Sequence, residues 1–151
     1  MDNANIFGDE GFSEETELTA QTVDWGKIND QITGTFIKAR HGVETQFGQN
    51  SIYEILSEKG EFHKLTKKVP AEKPTIIHKD EVWSVWGRNE IFNSQLNSLK
   101  PGQVVKLIYT EDVDTKMGTM KMIKIRAPRN NDGTVVMNQT WLDQNVGLAG
   151  F

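Results

Sequence analysis

The stretch from Glu81 to Pro128 decides the fold: EVWSVWGRNEIFNSQLNSLKPGQVVKLIYTEDVDTKMGTMKMIKIRAP. β-branched and aromatic residues predict strands on both sides of a short segment in which apolar residues recur at helical spacing. An asparagine is a favourable residue to cap this helix at its start, and a Pro-Gly pair ends it. The predicted elements are strand three (Glu81–Arg88), a helix (Asn89 to about Leu99), strand four (Gln103–Thr110), a turn (Asp114–Gly118) and strand five (Met120–Arg126).

Two more strands are predicted upstream of this stretch. Strand one has Ile32, Gly34 and Phe36 on one face, since they alternate with the residues between them. A glycine within a strand indicates a bulge or a sharp bend, which a small closed barrel needs. The elements predicted here are strand one (Gln31–Arg40), a loop (residues 42–50), strand two (Ser51–Leu56) and a lysine-rich finger (residues 57–80).

A pair of strands, a third strand, a helix and two closing strands follow one another in the order of an OB-fold barrel. The predicted fold is therefore mainly β: a five-stranded, OB-fold-like Greek-key barrel with one short helix between strands three and four, plus flexible termini. The predicted division is an acidic, mostly disordered arm (residues 1–24), the barrel (residues 25–128) and a C-terminal arm (residues 129–151).

Charge is distributed unevenly along the chain. Residues 1–24 hold seven acids and no base, whereas all 17 Lys and Arg lie between Lys27 and Arg129, where they face twelve acids and give a net charge of +5. An acidic arm on a basic body is an asymmetry that is typical of nucleic-acid-binding proteins, although such an arm also serves as a solubilising tail. The overall charge of −4 hides this contrast.

Several classes of function lack their sequence signals. The chain has no cysteine, so disulfides, thiolate chemistry and cysteine-ligated zinc are excluded. No apolar run reaches the roughly 20 residues of a membrane-spanning helix, and the first residues are acidic where a signal peptide is basic. His41, His63 and His78 fit no metal signature, and no phosphate-binding glycine loop or nucleophile motif is present. We therefore predict a protein that is not an enzyme and needs no metal or cofactor.

Aromatic and basic side chains carry the main chemical signal. Trp83 and Trp86 are three residues apart, so on a regular strand one faces the core and the other faces outward, and the sequence leaves open which. An exposed tryptophan beside lysines is what single-stranded nucleic acid needs for base stacking and phosphate contact. The candidate nucleic-acid-binding residues are Trp83, Trp86, Tyr53 and Phe47 for stacking, and Lys38, Arg40, Arg88, Lys124 and Arg126 for phosphates.

The layout resembles the OB-fold single-stranded DNA-binding proteins of tailed bacteriophages over residues 28–128. The resemblance lies in the ITGTF strand, the EVWSVWG strand, the helix NEIFNSQLNSLK, the turn into QVVKLIY and the strand MKMIKIR. It implies that an acidic C-terminal tail ending in an aromatic residue recruits replication partners. Here the terminal Phe151 matches, but the acidic segment is at the other end of the chain.

We therefore expect sequence-independent binding of single-stranded DNA during phage replication or recombination, in the cytoplasm of an infected bacterial host. Replication or recombination proteins are expected partners of the acidic arm or of Phe151, and homo-oligomerisation is left open. The alternative is a structural OB-fold module of a virion, such as a tail or baseplate component. A weaker third alternative is an RNA-binding module.

Overall fold

An antiparallel sheet forms the body of the protein, and the computed structural model describes it through residues 21–46 and 48–145. The mainly β class is therefore confirmed. The sheet strands are β1 (Gln31–Thr45), β2 (Gly48–Phe62), β5 (Thr75–Ile77), β6 (Val82–Trp86), β7 (Val104–Thr115) and β8 (Gly118–Arg126). A separate small hairpin holds β3 (Leu65–Thr66) and β4 (Val69–Pro70), and the helices are α1 (Glu90–Asn97) and α2 (Gln139–Gln144).

Neighbouring strands run in the order β5-β2-β1-β7-β8, and β6 pairs with β2 on the same edge as β5. Helix α1 connects β6 to β7, as predicted. Within the described ranges, β6 and β8 do not pair with each other. The sheet thus has six strands rather than the predicted five, and strand pairing does not close it into a barrel.

A segment near the N-terminus lies along the free edge of β6. The Val23 N–H donates to the Ser84 carbonyl (3.0 Å) and the Ser84 N–H donates to the Gln21 carbonyl (2.9 Å). A little further on, the Asn29 N–H donates to the Tyr109 carbonyl (2.7 Å), so residues 21–30 run from β6 to β7. We call residues 21–30 the N-terminal strap. Residues 21–24 were predicted to belong to the acidic arm, but they are part of the folded body.

The core is built from the inward faces of the long strands, because side chains alternate between the two faces of each strand. Val23 and Trp25 of the strap and Phe92 and Leu96 of α1 complete it. Phe36 and Tyr109 are among its buried aromatic residues. The strand residues of the core are Ile32, Phe36, Tyr53, Ile55, Phe62, Ile77, Trp83, Val85, Val105, Leu107, Tyr109 and Ile123.

Helix α1 begins where the sequence predicts it. The Asn89 side chain accepts a hydrogen bond from the Phe92 N–H (2.8 Å), which satisfies one of the donors that a helix start leaves free. The helix ends at Asn97, two residues before the predicted end. Gly102 follows with a φ of 94°, and a side chain there would collide with Leu142 of α2. The C-terminal segment therefore packs closely on the turn that leads into β7.

The first hairpin is longer than predicted. Residues 42–50 are not a loop, because β1 continues to Thr45, β2 begins at Gly48, and the Thr45 hydroxyl donates to the Gly48 carbonyl (2.6 Å). Gly42 has a φ of 68° where the pairing register shifts. The glycine therefore allows a β-bulge at this point instead of ending the strand in a loop. The predicted bulge at Gly34 is confirmed, since the register also shifts between Thr33 and Gly34.

The lysine-rich finger is smaller than predicted, because β2 continues through Phe62. Beyond it, β3 and β4 form a hairpin with a two-residue turn at Lys67 and Lys68. After β8, the chain returns across the end of the sheet, where the Val104 N–H donates to the Val136 carbonyl (3.0 Å). No helix in the described part of the chain is long and apolar enough to cross a membrane.

Candidate nucleic-acid interface

The two tryptophans of β6 lie on opposite faces of the sheet, as predicted. β6 pairs with β2 without a register shift, so the alternation of side chains is regular. Trp83 points inward with an exposed fraction of 8 %, and its ring meets the ring of Phe62 edge-on at 5.5 Å between centroids. Its indole N–H donates to Glu81 Oε1 (3.2 Å). Trp86 faces outward and is half-buried, so it is the tryptophan available to a ligand.

The stacking role predicted for Tyr53 is wrong. Tyr53 lies opposite Val85 in the β2–β6 pairing, on the inward face, and its exposed fraction is 0 %. Its hydroxyl donates to Asn97 Oδ1 of α1 (3.0 Å), and burial raises the pKa of the phenol. No base reaches a ring in that position, and the same holds for Trp83. Phe47, the fourth stacking candidate, lies outside the described residues.

Trp86 opens onto a cleft of about 270 Å³, which we call the Trp86 cleft. The N-terminal strap lines it through residues 22–25, and Leu65 of β3 is also part of the lining. The Leu65 N–H donates to the Asp24 carboxylate (2.9 Å), which fastens the base of the β3–β4 hairpin to the strap. Arg88 and Lys121 supply positive charge beside the indole. The cleft thus combines one accessible aromatic ring with two cations and one carboxylate.

A larger cleft of about 590 Å³ lies between the start of α1 and β8, and we call it the α1–β8 cleft. Its apolar lining comes from Ile91, Phe92, Met120, Met122, Ile123 and Ile125, and its cations are Arg88, Lys121, Lys124 and Arg126. Glu90 is the acid among its lining residues. Because Arg88 and Lys121 line both clefts, the two clefts adjoin, and together their linings extend from Trp86 to Arg126.

The positive charges of this surface have carboxylates nearby but are not paired with them. Among the residues described, Arg88, Lys121, Lys124 and Arg126 form no ion pair with a carboxylate. Burial lowers the pKa of Lys121 and the nearby Arg88 lowers it further, while surrounding carboxylates raise it. Cations that repel each other in a concave, partly desolvated site attract anions. Three of the four were predicted from the sequence; Lys121 was not.

Strand alternation explains why Lys121 was not among the predicted cations. It lies on the same face of β8 as the core residue Ile123 and the partly buried Ile125, and that face was expected to point into the core. Its amine instead reaches the Trp25 carbonyl and lies 5.5 Å from the centroid of the Tyr109 ring. A lysine at an inward position near the start of the predicted strand five was the signal that could have identified it.

Lys38 and Arg40 lie on the same outer sheet face as Trp86. Arg40 pairs with Ile52 on β2, and Ile52 pairs with Trp86 on β6, so the three form one row across the sheet. Both cations already share the carboxylate of Glu54, Arg40 at 3.1 Å and Lys38 at 4.0 Å. Their attraction for phosphate is therefore weaker than that of the cations without a carboxylate partner.

A buried histidine–carboxylate pair has a structural explanation. Asp30 is only 1 % exposed and accepts from the N–H groups of Gly26 (2.8 Å), Lys27 (2.9 Å) and His63 (2.9 Å). His63 Nδ1 also lies 2.7 Å from Asp30 Oδ1. These contacts hold the N-terminal strap against β2. In the part of the chain that the structure describes, no group of three or more His, Asp or Glu side chains is placed to hold a metal ion.

Comparison with known proteins gives no match: no protein-family model, no curated protein and no solved structure is similar to this chain. The geometry and charge of the two clefts are therefore the main indications of function.

Proposed function

We propose that the protein binds single-stranded DNA without sequence preference, during phage DNA replication or recombination in an infected bacterial cell. The observation that carries this proposal is the surface formed by the adjoining Trp86 cleft and α1–β8 cleft. It offers an accessible indole for stacking at one end and four cations that form no ion pair with a described carboxylate. Stacking on an aromatic ring tolerates any base, and cations contact any phosphate, so neither feature selects a sequence.

The topology supports an OB-type fold for this task. Helix α1 connects the third and fourth of the principal strands β1, β2, β6, β7 and β8, and the sheet is partly open between β6 and β8. OB folds are partly open Greek-key barrels that bind oligonucleotides on the face of their second and third strands. In this chain β2 and β6 hold those positions, and Trp86 lies on their outer face. This position of Trp86 supports the proposed site.

A fluorescence titration with oligo-dT tests the proposal. The chain has four tryptophans, and Trp86 is the one that opens onto the proposed site, so binding should quench part of the emission. The affinity should fall steeply with salt because phosphate contacts release counterions, with a slope of about −0.7 per contact on logarithmic scales. Duplex of the same length should bind more weakly, since its bases are stacked on each other and cannot reach the indole.

Two variants control the titration. Trp86→Phe keeps an aromatic ring and removes the fluorophore, so it should retain most of the affinity and lose most of the quenching. Trp141→Phe removes a half-buried indole that lies on α2, away from both clefts, and should leave affinity and quenching as they are. An absence of binding at micromolar protein and low salt would overturn the proposal.

The alternative, a structural module of a virion, is favoured by one observation. The α1–β8 cleft has an apolar lining, and Ile91 at its edge is 73 % exposed. An exposed aliphatic side chain beside an apolar cleft suits a protein partner better than a nucleic acid. This alternative predicts no oligonucleotide binding and co-assembly with other virion proteins, so the same titration separates the two functions.

A further inference from the structure

The turn of the β3–β4 hairpin has an unusual sequence for its backbone. Thr66 pairs with Val69, which leaves Lys67 and Lys68 as the two turn residues, and their φ angles are 52° and 68°. Two positive φ angles in a two-residue hairpin turn are the pattern of a type I′ turn, in which Asn-Gly is the preferred pair. Lysine has a side chain that disfavours this region of backbone space. The hairpin therefore holds two lysines where folding alone favours other residues.

The charge of these lysines is not used within the described fold. Lys64, Lys67, Lys68 and Lys73 are exposed and form no ion pair with any described carboxylate, while Glu72 is the acid within residues 64–73. Val69, next to the turn, is 64 % exposed. Non-glycine residues in strained backbone positions cluster at functional sites. The tip of this hairpin thus carries a dense, exposed positive charge.

The hairpin is anchored beside the proposed DNA site. Leu65 lines the Trp86 cleft, and its N–H bond to Asp24 ties the base of the hairpin to the N-terminal strap. Lys67 and Lys68 are two and three residues further along the chain, which at about 3.3 Å per residue places them within roughly 10 Å of that base along the strand. A single strand that leaves the Trp86 cleft toward β3 therefore meets these lysines next.

We propose that the tip of the β3–β4 hairpin is a second contact site for the phosphodiester backbone of single-stranded DNA. The inference rests on the proposed function and extends it, because it gives the path of the bound strand across the protein surface. The strand lies along the α1–β8 cleft, places a base on Trp86, and continues to Lys67 and Lys68. The occupied site is then longer than the two clefts alone.

The turn chemistry provides a variant that removes the charges without harming the fold. Lys67→Asn combined with Lys68→Gly replaces the strained pair with the pair that a type I′ turn prefers. Its melting temperature should therefore equal or exceed that of the parent. A matched control is Lys100→Asn with Lys116→Asn, which also removes two exposed lysines that form no ion pair with a described carboxylate, and neither lines the Trp86 cleft or the α1–β8 cleft.

The measurement is the affinity for oligo-dT of about 6 and about 20 nucleotides, lengths that bracket the roughly 4–16 nucleotides that one OB fold occupies. With the longer oligonucleotide, the turn variant should bind on the order of fivefold more weakly at 50 mM salt, and its salt slope should be smaller by about 1.4. With the shorter one, it should bind like the parent. The control variant should match the parent at both lengths.

Two results would overturn the inference and are easily told apart. If the parent binds and the turn variant binds the long oligonucleotide equally well, the hairpin is not a contact site, while the proposed function stands. If the parent itself binds no oligonucleotide, the proposed function fails and the inference fails with it.

Discussion

The inner and outer faces of β6 each carry a tryptophan, and the two side chains have different environments. Trp83 packs against Phe62 within the core, whereas Trp86, three residues later, opens onto a cleft with Arg88 and Lys121. Strand alternation alone separates them, since the pairing of β6 with β2 has no irregularity. Two tryptophans three residues apart on a regular strand therefore predict one buried ring and one accessible ring. The sequence alone does not say which of the two is buried.

Trp83→Ala should cause the largest effect, because it removes a buried indole from the inner face. We expect a loss of about 3–5 kcal/mol in the free energy of unfolding, as for other large-to-small core substitutions. Chemical denaturation monitored by circular dichroism measures it. Trp83→Phe is the control, since it keeps a ring against Phe62 and should lose much less. A loss below about 1 kcal/mol for the alanine variant would break the distinction between the two faces.

Trp86→Ala should have the opposite profile. The outer ring is half-buried, so the variant should lose clearly less stability than Trp83→Ala. Its affinity for oligo-dT should fall by about 1–3 kcal/mol, the usual contribution of stacking one base on an aromatic ring. Isothermal titration calorimetry measures this without relying on tryptophan emission. If the affinity is unchanged, the Trp86 cleft does not hold a base.

Much of the fold was predictable because its signals are local. The helix cap at Asn89, the bulge at Gly34 and the order of the five main strands all follow from residue type and short-range periodicity. The pairing of residues 21–24 with β6 was not, because this segment has no periodicity of its own and is held by long-range backbone hydrogen bonds. The first hairpin extends through the glycine-containing segment that predicted a loop because residues 43–45 pair with residues 48–50 beyond the register shift at Gly42.

The candidate site was predictable in its chemistry and less so in its geometry. Arg88, Lys124 and Arg126 were predicted and lie together in the α1–β8 cleft. Tyr53 was misplaced because aromatic residues are favoured on both faces of a strand, so residue type cannot give the direction in which the ring points. Glu54 lowers the availability of Lys38 and Arg40, and its position beside them depends on the β1–β2 register, which residue type does not give.

That difference between the two sets of cations on the outer side of the sheet is testable. Lys124→Gln with Arg126→Gln removes two cations that form no ion pair with a described carboxylate. It should reduce the salt slope of oligo-dT binding by about 1.4. Lys38→Gln with Arg40→Gln removes two cations that Glu54 already partly neutralises, so its slope should change less. Affinities at four salt concentrations give both slopes. Equal slope changes would show that the ion pairs with Glu54 do not reduce the contribution of Lys38 and Arg40 to phosphate binding.

The smallest expected effect concerns the acidic arm, whose residues 1–20 lie outside the described part of the chain. They carry six acids and no base, and they join the folded body at Gln21, whose carbonyl accepts from Ser84 on the strand that also bears Trp86. A tethered polyanion that starts beside a basic cleft competes with phosphate at high effective concentration. Removing residues 1–20, while retaining the strap that pairs with β6, should therefore tighten oligo-dT binding several-fold at low salt. The gain should shrink as salt rises, because charges are screened over about 10 Å at 0.1 M ionic strength and over shorter distances above it.

A full-length variant with the six acids changed to Asn or Gln separates charge from bulk, and it should reproduce the effect of the truncation. Equal affinities of parent and truncated protein at low salt would show that the arm does not compete for the clefts.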